Sequence, residues 1–425
     1  MNIENAILRY KDYGKNVKLI DRDVNLSTAN FINSLIGPRR AGKSSIMLIY
    51  MNKLYKENKK VIFINGEDID FEGLTVNDLD KIEIEIRRIY NINASDKVYL
   101  FIDEVQNFPN WSKWMRTLFD ENLYNLSVSG STSELSQDQL PIELRGRSIE
   151  TLVLPFSFKE YCKAKKIAYE KYVNFEKNAL IVNAFSDFMK YGGYPEVVKS
   201  EDIEFRKQIL LSIYTTVMQK DLIDKYNIRK KPEFKLFINS LFESSCRNFS
   251  IENLIKFLDI KGLKISKQAA FNYLDYAQSV FLIHLIYPYS KKLKVRLTNP
   301  RVYPIDQGIM RLFTEDDGKS LEDIVFIELF RRRANVMYYK SDKSDVDFAI
   351  VEKNIIKELI QVSYSINNPN AYAREINSLI NASKETGCKD LKIITFNEKK
   401  TINTENLEIE VIPIWRWLLN LSMWA

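Results

Sequence analysis

The sequence predicts an α/β fold whose parallel sheet carries a phosphate-binding loop, and three observations predict it. The apolar run Phe31-Ile32-Asn33-Ser34-Leu35-Ile36 stops at Gly37, and Gly37, Gly42, Lys43 and Ser44 then satisfy the spacing G-x-x-x-x-G-K-[ST]. A second near-continuous apolar run, Val98 to Ile102, ends in the carboxylate pair Asp103-Glu104. Runs of that kind are buried on both faces, as strands of parallel sheets are. Between and after them, segments of helical period separate short apolar runs, the alternation expected of βαβ units.

The elements justify themselves in order. Residues 1–30 are polar and tyrosine-containing, and read as a helical or irregular lead-in. Phe31–Ile36 is the first strand, and Lys43 to about Asn58 is the helix after the glycine-bounded turn. The segment Gly37-Pro38-Arg39-Arg40-Ala41-Gly42-Lys43-Ser44-Ser45 would wrap a triphosphate. Its glycines let the backbone approach the phosphates, and the helix N-terminus adds the positive end of a dipole. Lys43 would reach the β- and γ-phosphates, and the Ser44 hydroxyl would ligate Mg²⁺. Val61–Asn65 is a second short strand ended by Gly66. Leu79, Ile82, Ile86 and Ile89 recur at helical spacing in Asn77–Tyr90.

The Val98–Ile102 strand then delivers Asp103 beside the loop, at the edge where α/β sheets bind ligands. Asp103 would hold Mg²⁺, and Glu104 would orient or deprotonate the attacking water. After helix Trp111–Asp120, Leu126–Ser131 reads as a strand with a small polar end. Ser129 and Ser131 are either contacts of the γ-phosphate or lytic water, or ordinary turn serines. Arg145 and Arg147, before the strand Ile149–Leu154, are either surface arginines or extra positive charge for a γ-phosphate, in their own chain or a neighbour's.

At 425 residues the chain is long enough for two or three domains, each with its own core. No apolar run approaches the ~20 residues of a membrane span, and the N-terminus lacks a signal-peptide core. The cytoplasm is therefore the expected compartment. The single histidine, His284, lies in the apolar run FLIHLIY and reads as structural. Cys162, Cys246 and Cys388 are far apart, so neither a zinc site nor a Cys/His dyad is legible. Net charge is +6, but residues 225–301 alone carry 15 Lys/Arg against 5 Asp/Glu, leaving −4 for the remainder. A basic middle segment points to an anionic partner or to a lysine-rich solvated surface.

The order GPRRAGKSS, LFIDEVQNFPNW, SVSGSTSEL, LRGR and LVLPFSFKEY, followed by Tyr191-Gly192-Gly193-Tyr194-Pro195-Glu196 and by 314–364, resembles the AAA+-type archaeal and bacterial ATPases whose C-terminal half is a domain of unknown function. The resemblance spans roughly residues 30–400. It implies a P-loop αβα core over 1–155, a helical lid over 156–229, a winged helix over 230–300 and a restriction-endonuclease-like α/β domain over 301–425. It also implies ATP as the nucleotide. In the winged helix the recognition helix would begin near its N-cap Ser266 and present Lys267, Gln268 and Asn272. Lys291, Lys292, Lys294 and Arg296 would lie on or after the wing, where basic groups meet DNA phosphates.

A nuclease site of this type needs a helix carboxylate, a strand aspartate and a later Glu-x-Lys pair that together hold metal and charge. Glu322 or Glu328, with Asp347, fills the first two places. Gln361 and Ser363 stand where the acid and the lysine belong, so hydrolysis of DNA is not expected. The function expected is a Mg²⁺-dependent ATPase coupled to DNA binding or remodelling, possible as a homo-oligomer and without a membrane. The alternatives are a slow nucleotide-dependent protein switch and, against Gln361 and Ser363, an ATP-gated nuclease.

Overall fold

The computed structural model describes residues 2–27, 30–93, 95–131, 141–169, 175–290, 299–404 and 407–421, with side chains in the helix at 175 described from residue 178 onward. The chain divides once, after Leu154, into the compact units Met1–Leu154 and Pro155–Ala425.

The first unit begins with helix α1 (Ile3–Arg9), inside the segment expected as a lead-in. Its sheet comprises β1 (Ile32–Ile36), β2 (Lys60–Asn65), β3 (Val98–Asp103), β4 (Tyr124–Gly130) and β5 (Ser148–Leu152). Every pairing is parallel, and the order in space is β2-β3-β4-β1-β5. Parallel neighbours need a crossover. Helices α2 (Lys43–Lys56), α3 (Leu79–Ile89) and α4 (Trp111–Asp120) provide the first three. All five residues of β1 are buried, as in a strand covered on both faces, and its polar Asn33 and Ser34 are hydrogen-bonded to Ser27 and Ser148. Helix α3 buries Leu79, Ile82 and Ile86 of the stripe its period predicts, and Ile89, the fourth, is partly buried.

The register fixes the functional edge. Ile36 lies beside Gly130 and Leu152, and Asn65 beside Asp103. The carboxyl ends of β1, β3 and β4 therefore face one side, with β4 wedged between the loop-bearing strand and the acidic one.

The second unit begins with helices α5 (Phe158–Ala164), α6 (Phe175–Tyr191), α7 (Pro195–Lys199) and α8 (Ile203–Thr216), which runs on as a π-helix over Val217–Asp224. Helices α9 (Lys231–Glu243), α10 (Ile251–Ile260) and α11 (Lys267–Ser279) follow. The antiparallel strands β6 (Ile283–Ile286) and β7 (Arg301–Pro304) come next. Tyr194, Leu222, Phe234, Leu258, Leu274 and Val302 share one buried cluster, so the boundaries expected near 230 and 300 both fall inside a single core. Three helices and β6 lie within 230–300, and β7, the partner of β6, lies just beyond it. Lys291, Lys292, Lys294 and Arg296 lie outside the described residues.

Beyond a short helix α12 (Gln307–Met310) and α13 (Asp317–Arg331), six strands form a mixed sheet. They are β8 (Val336–Lys340), β9 (Asp345–Glu352), β10 (Ile355–Ser363), β11 (Leu391–Thr395), β12 (Lys400–Thr404) and β13 (Leu407–Pro413). Their order is β12-β13-β11-β10-β9-β8. Helix α14 (Pro369–Thr386) buries Ile376, Leu379 and Ile380 in the core of this sheet, and α15 (Ile414–Leu418) closes the described chain. Among the described residues, no helix is long and apolar enough to cross a membrane.

The Gly192-Gly193 pair has a packing function within this unit. The buried Asp306 carboxylate accepts from the backbone N–H groups of Gly308 (2.9 Å), Ile309 (3.3 Å) and Gly193 (2.8 Å), so it caps α12 and ties it to the end of α6. Phe156 N–H donates to the Gly193 carbonyl at 2.7 Å. Gly192 has φ +80°, and a Cβ there would stand 2.2 Å from Asp306 Oδ1. Gly192→Ala combines a left-handed penalty with that clash. It is expected to cost about 2–4 kcal/mol of stability, read as a lower urea midpoint, while the nucleotide affinity of the first unit stays as it was.

Candidate active site

The site is built where β1 ends. Gly37 has φ +144°, and a Cβ on it would overlap the Val153 carbonyl oxygen at 2.0 Å, so only glycine lets the chain turn here. The loop closes at Gly42, which is left-handed (φ 103°) and stands at the N-cap of α2 without a side chain to cap it. The first N–H groups of α2 thus point out of the helix end, the arrangement that suits an anion. Lys43 is buried, and its ammonium donates to the carbonyls of Gly37 (2.9 Å) and Pro38 (3.0 Å). Arg40 is held at φ 61°, Ala41 is buried, and Arg39 pairs with Glu67 at 3.3 Å. Ser45 follows Ser44 in the first turn of α2.

The end of β3 meets this loop. The Ser44 hydroxyl donates to Asp103 Oδ2 at 2.5 Å, and the Ser129 hydroxyl, from β4, donates to Asp103 Oδ1. Burial pushes the Asp103 carboxyl above its ordinary pKa, while the two serine hydroxyls pull the other way. Glu104 is left-handed (φ 50°, ψ 52°), a strained conformation for a glutamate. Its backbone N–H donates to Ser129 Oγ at 3.2 Å. Its carboxylate oxygen Oε2 accepts from Gln106 Nε2 (2.6 Å) and from the Ser131 backbone N–H (3.2 Å). Gly66 permits the turn: its N–H donates to the Asp103 carbonyl at 2.9 Å, and a Cβ on it would sit 2.5 Å from the Glu104 carbonyl.

The structure therefore brings together Gly37, Lys43, Ser44, Asp103, Glu104 and Ser131, the last through its backbone. It does not bring the two arginines there. Ile32 N–H donates to the Arg147 carbonyl, and Ser148 pairs with Ile32, at the start of β1. Arg147 and, two residues before it, Arg145 precede β5 at the amino-terminal edge of the sheet. The full length of β1 separates them from the loop, about 16 Å at strand rise. A role for either at its own chain's phosphates is corrected by this register.

Two contributors, Gln106 and Arg22, were not singled out from the sequence, and Ser129, weighed there as a contact of the γ-phosphate or lytic water, acts on Asp103 instead. Gln106 holds Glu104. Arg22, in the irregular lead-in, donates to the Ala41 carbonyl at 2.8 Å and to the Leu154 carbonyl at 2.7 Å, so it pins the phosphate loop to the end of β5. No periodicity marks Arg22; only the FIDEVQ string hinted at Gln106. Arg22→Ala removes two charge-assisted hydrogen bonds, each worth about 1.5–3 kcal/mol at most. The expected result is a lower unfolding midpoint and about tenfold weaker nucleotide binding, measured by fluorescence titration.

In the second unit, Lys267 lies exposed at the start of α11 and pairs with Glu252 at 2.9 Å, while Gln268 Nε2 donates to Asn272 Oδ1 at 3.0 Å. The Ser266 hydroxyl accepts from Ala269 N–H, the N-cap the sequence predicts. Of the two candidate helix carboxylates, Glu322 turns towards Asp347, whereas Glu328 pairs with Arg331 and Arg332. The Gln361 side-chain oxygen accepts from Asp347 N–H at 3.4 Å, and Ser363 Oγ donates to the Ser365 carbonyl. His284 packs on Phe326 and Phe330, and burial lowers its pKa to about 4, so it is a neutral core residue. All three cysteines are buried and free.

Comparison with known proteins agrees with the first unit. The AAA domain family matches residues 29–162, and a domain of unknown function (DUF8612) matches residues 182–320. The uncharacterized protein MJ1544 of Methanocaldococcus jannaschii is 33% identical over 433 residues, covering 98% of this chain and 95% of that protein. An uncharacterized protein of Haemophilus influenzae is 26% identical over 404 residues, covering 93% and 96%. A solved Walker-type ATPase of Pyrococcus abyssi is 15% identical and covers 66% of this chain and 90% of that one at a TM-score of 0.44, a likeness too partial to bear on function. With MJ1544 33% identical across nearly the whole of both chains, the protein belongs to the same family, and it is an AAA-type ATPase.

Proposed function

We propose that the phosphate loop and the Asp103-Glu104 pair hydrolyse ATP in a Mg²⁺-dependent reaction, and that the second unit couples this to DNA. The observation that carries the first half is the 2.5 Å contact between Ser44 Oγ and Asp103 Oδ2, which joins the two halves of the site. A triphosphate entering the loop takes over the hydrogen bonds that Lys43 now gives to the Gly37 and Pro38 carbonyls. The N–H groups of the loop and of α2 orient it. Glu104, fixed by Gln106 and the Ser131 N–H, accepts a proton from water aligned with the γ-phosphate.

The donor set fits Mg²⁺. Ser44 and Asp103 offer hard oxygen ligands, and Asp103 is a buried carboxylate whose charge burial disfavours and a cation would restore. Ser44 and Asp103 would hold the ion, which supplies charge neutralisation on the phosphate oxygens. Arg145 and Arg147, at the opposite edge, would serve only a neighbouring copy's nucleotide.

The DNA half rests on the excess of 15 Lys/Arg over 5 Asp/Glu in 225–301 and on the exposed start of α11. Lys267 would exchange Glu252 for a phosphate, and Gln268 and Asn272 would exchange each other for base edges. Lys291, Lys292, Lys294 and Arg296 would add phosphate contacts. The test is the ATPase rate with and without duplex, forked and single-stranded DNA, with strand cleavage scored in the same tubes. Turnover stimulated by DNA, reduced by salt and free of cleavage is expected. Unchanged slow turnover supports a protein switch instead, and metal-dependent nicking supports a nuclease.

A further inference from the structure

A polar cleft of about 540 Å³ opens in the second unit, on the side of the sheet where Asp345 and Asp347 project from β9. Glu322 enters it from α13 and Glu375 from α14. Carboxylates this close repel one another, and the repulsion grows as water is excluded. Burial and the Asp347 charge push Glu322 above its ordinary pKa, and burial does the same for Asp347.

The buried counter-charge is a guanidinium; at the rim the half-exposed Lys340 ammonium also lies 3.1 Å from Asp345 Oδ2. Arg301, at the start of β7, has a side chain 7% exposed. Its Nη1 lies 3.1 Å from Asp347 Oδ1 and 3.8 Å from Glu322 Oε1, and its Nη2 lies 2.5 Å from Asp345 Oδ1. The group rests on the Tyr338 ring, 4.6 Å from its centroid. Tyr303 OH donates to Glu322 Oε1 at 2.7 Å, and Val362 N–H to Asp347 Oδ2 at 2.9 Å, which fixes both acids in place. A fully buried acceptor in the cleft is without a partner. Glu375 gives one oxygen to Arg374, but its Oε2 has no hydrogen-bond partner although the side chain is only 2% exposed.

We propose that Arg301 is a tethered cation standing among carboxylates that would otherwise hold a divalent metal ion, so that the wild-type cleft is closed to metal and loss of Arg301 creates a metal site. Three carboxylates from two elements, with Glu375 spare beside them, are a ligand set for a hard divalent cation. A guanidinium supplies a permanent positive charge and a fan of N–H donors, and it satisfies the same oxygens without exchange. Because Arg301 is covalently attached, its effective concentration exceeds that of any dissolved ion. As Arg301 holds them, the carboxylates do not form a metal-binding group, and among the described residues no other group of His, Cys, Asp or Glu does.

This inference is independent of the nucleotide site, and its test keeps the two apart. Mn²⁺ binding to the full chain is measured by paramagnetic resonance of the free ion, without nucleotide, for wild type, Asp347→Asn, Arg301→Met and Arg301→Met/Asp347→Asn. Any Mn²⁺ at the phosphate loop is common to all four. The expected result is identical binding by wild type and Asp347→Asn. Arg301→Met should gain one further Mn²⁺ per chain, bound at least tenfold more tightly than any the wild-type cleft takes. The double variant should lose it. A folded Arg301→Met chain that gains no Mn²⁺ overturns the proposal. If Arg301→Met does not fold, the first comparison decides: loss of a bound Mn²⁺ in Asp347→Asn shows that the wild-type cleft already holds metal, and overturns the proposal, whereas equality supports it.

Discussion

Glu104→Gln is expected to bind ATP as tightly as the wild type and to turn it over about 10²–10⁴-fold more slowly, the range a general base contributes. The amide keeps the shape of the side chain, and its oxygen can still accept from Gln106 Nε2 and from the Ser131 N–H. The strained left-handed backbone at Glu104 is held by the Ser129 hydroxyl and by the close approach of Gly66, neither of which the change touches. What is lost is the ability to take a proton from water. Affinity is read by titration with a fluorescent ATP analogue, and turnover by phosphate release. Normal turnover in this variant would remove Glu104 from the chemistry and leave it as a brace for β4.

Lys43→Ala should fail earlier, at binding and at turnover together. The ammonium is buried and satisfies the Gly37 and Pro38 carbonyls, so its removal leaves the loop without its internal clamp as well as without charge for the phosphates. Loss of one preorganised donor to a developing charge costs about 2.7–4 kcal/mol, or roughly 10²–10³ in rate. The unfolding midpoint should move much less, because β1 and α2 keep their buried faces. Phosphate release and equilibrium unfolding on the same preparation distinguish the two effects.

The nucleotide site was legible because its spacing maps directly onto a parallel sheet. A glycine-bounded turn after one buried strand and an acidic pair after another can meet only at the carboxyl edge. The positioning residues were not legible, because they come from contacts distant in sequence. Arg22 reaches Leu154, 132 residues away, from a segment with no period. The insertion of β4 between β1 and β3 is what lets Ser129 hold Asp103, and strand order is not written in any one strand. Arg145 and Arg147 looked suitable by residue type, yet the parallel register of β5 with β1 sends them to the other edge.

In the second unit the same contrast holds. Glu322 and Glu328 differ by helical phase, and only the packing of α13 decides which one turns to Asp347. Arg301 reads as one basic residue in a basic segment until the fold surrounds it with acids. The Gly192-Gly193 pair stood out in the sequence, but its partner Asp306 lies 113 residues further along.

The central claim is that Ser44 and Asp103 assemble one metal-dependent hydrolytic site with the phosphate loop. Phosphate release from saturating ATP, followed while Mg²⁺ is titrated into chelator-treated protein, tests it most directly. The expected result is no turnover without Mg²⁺, a saturable rise as it is added, and a curve displaced to higher Mg²⁺ in Ser44→Ala. Turnover that persists in chelator, or a Ser44→Ala curve that overlays the wild type, would contradict it.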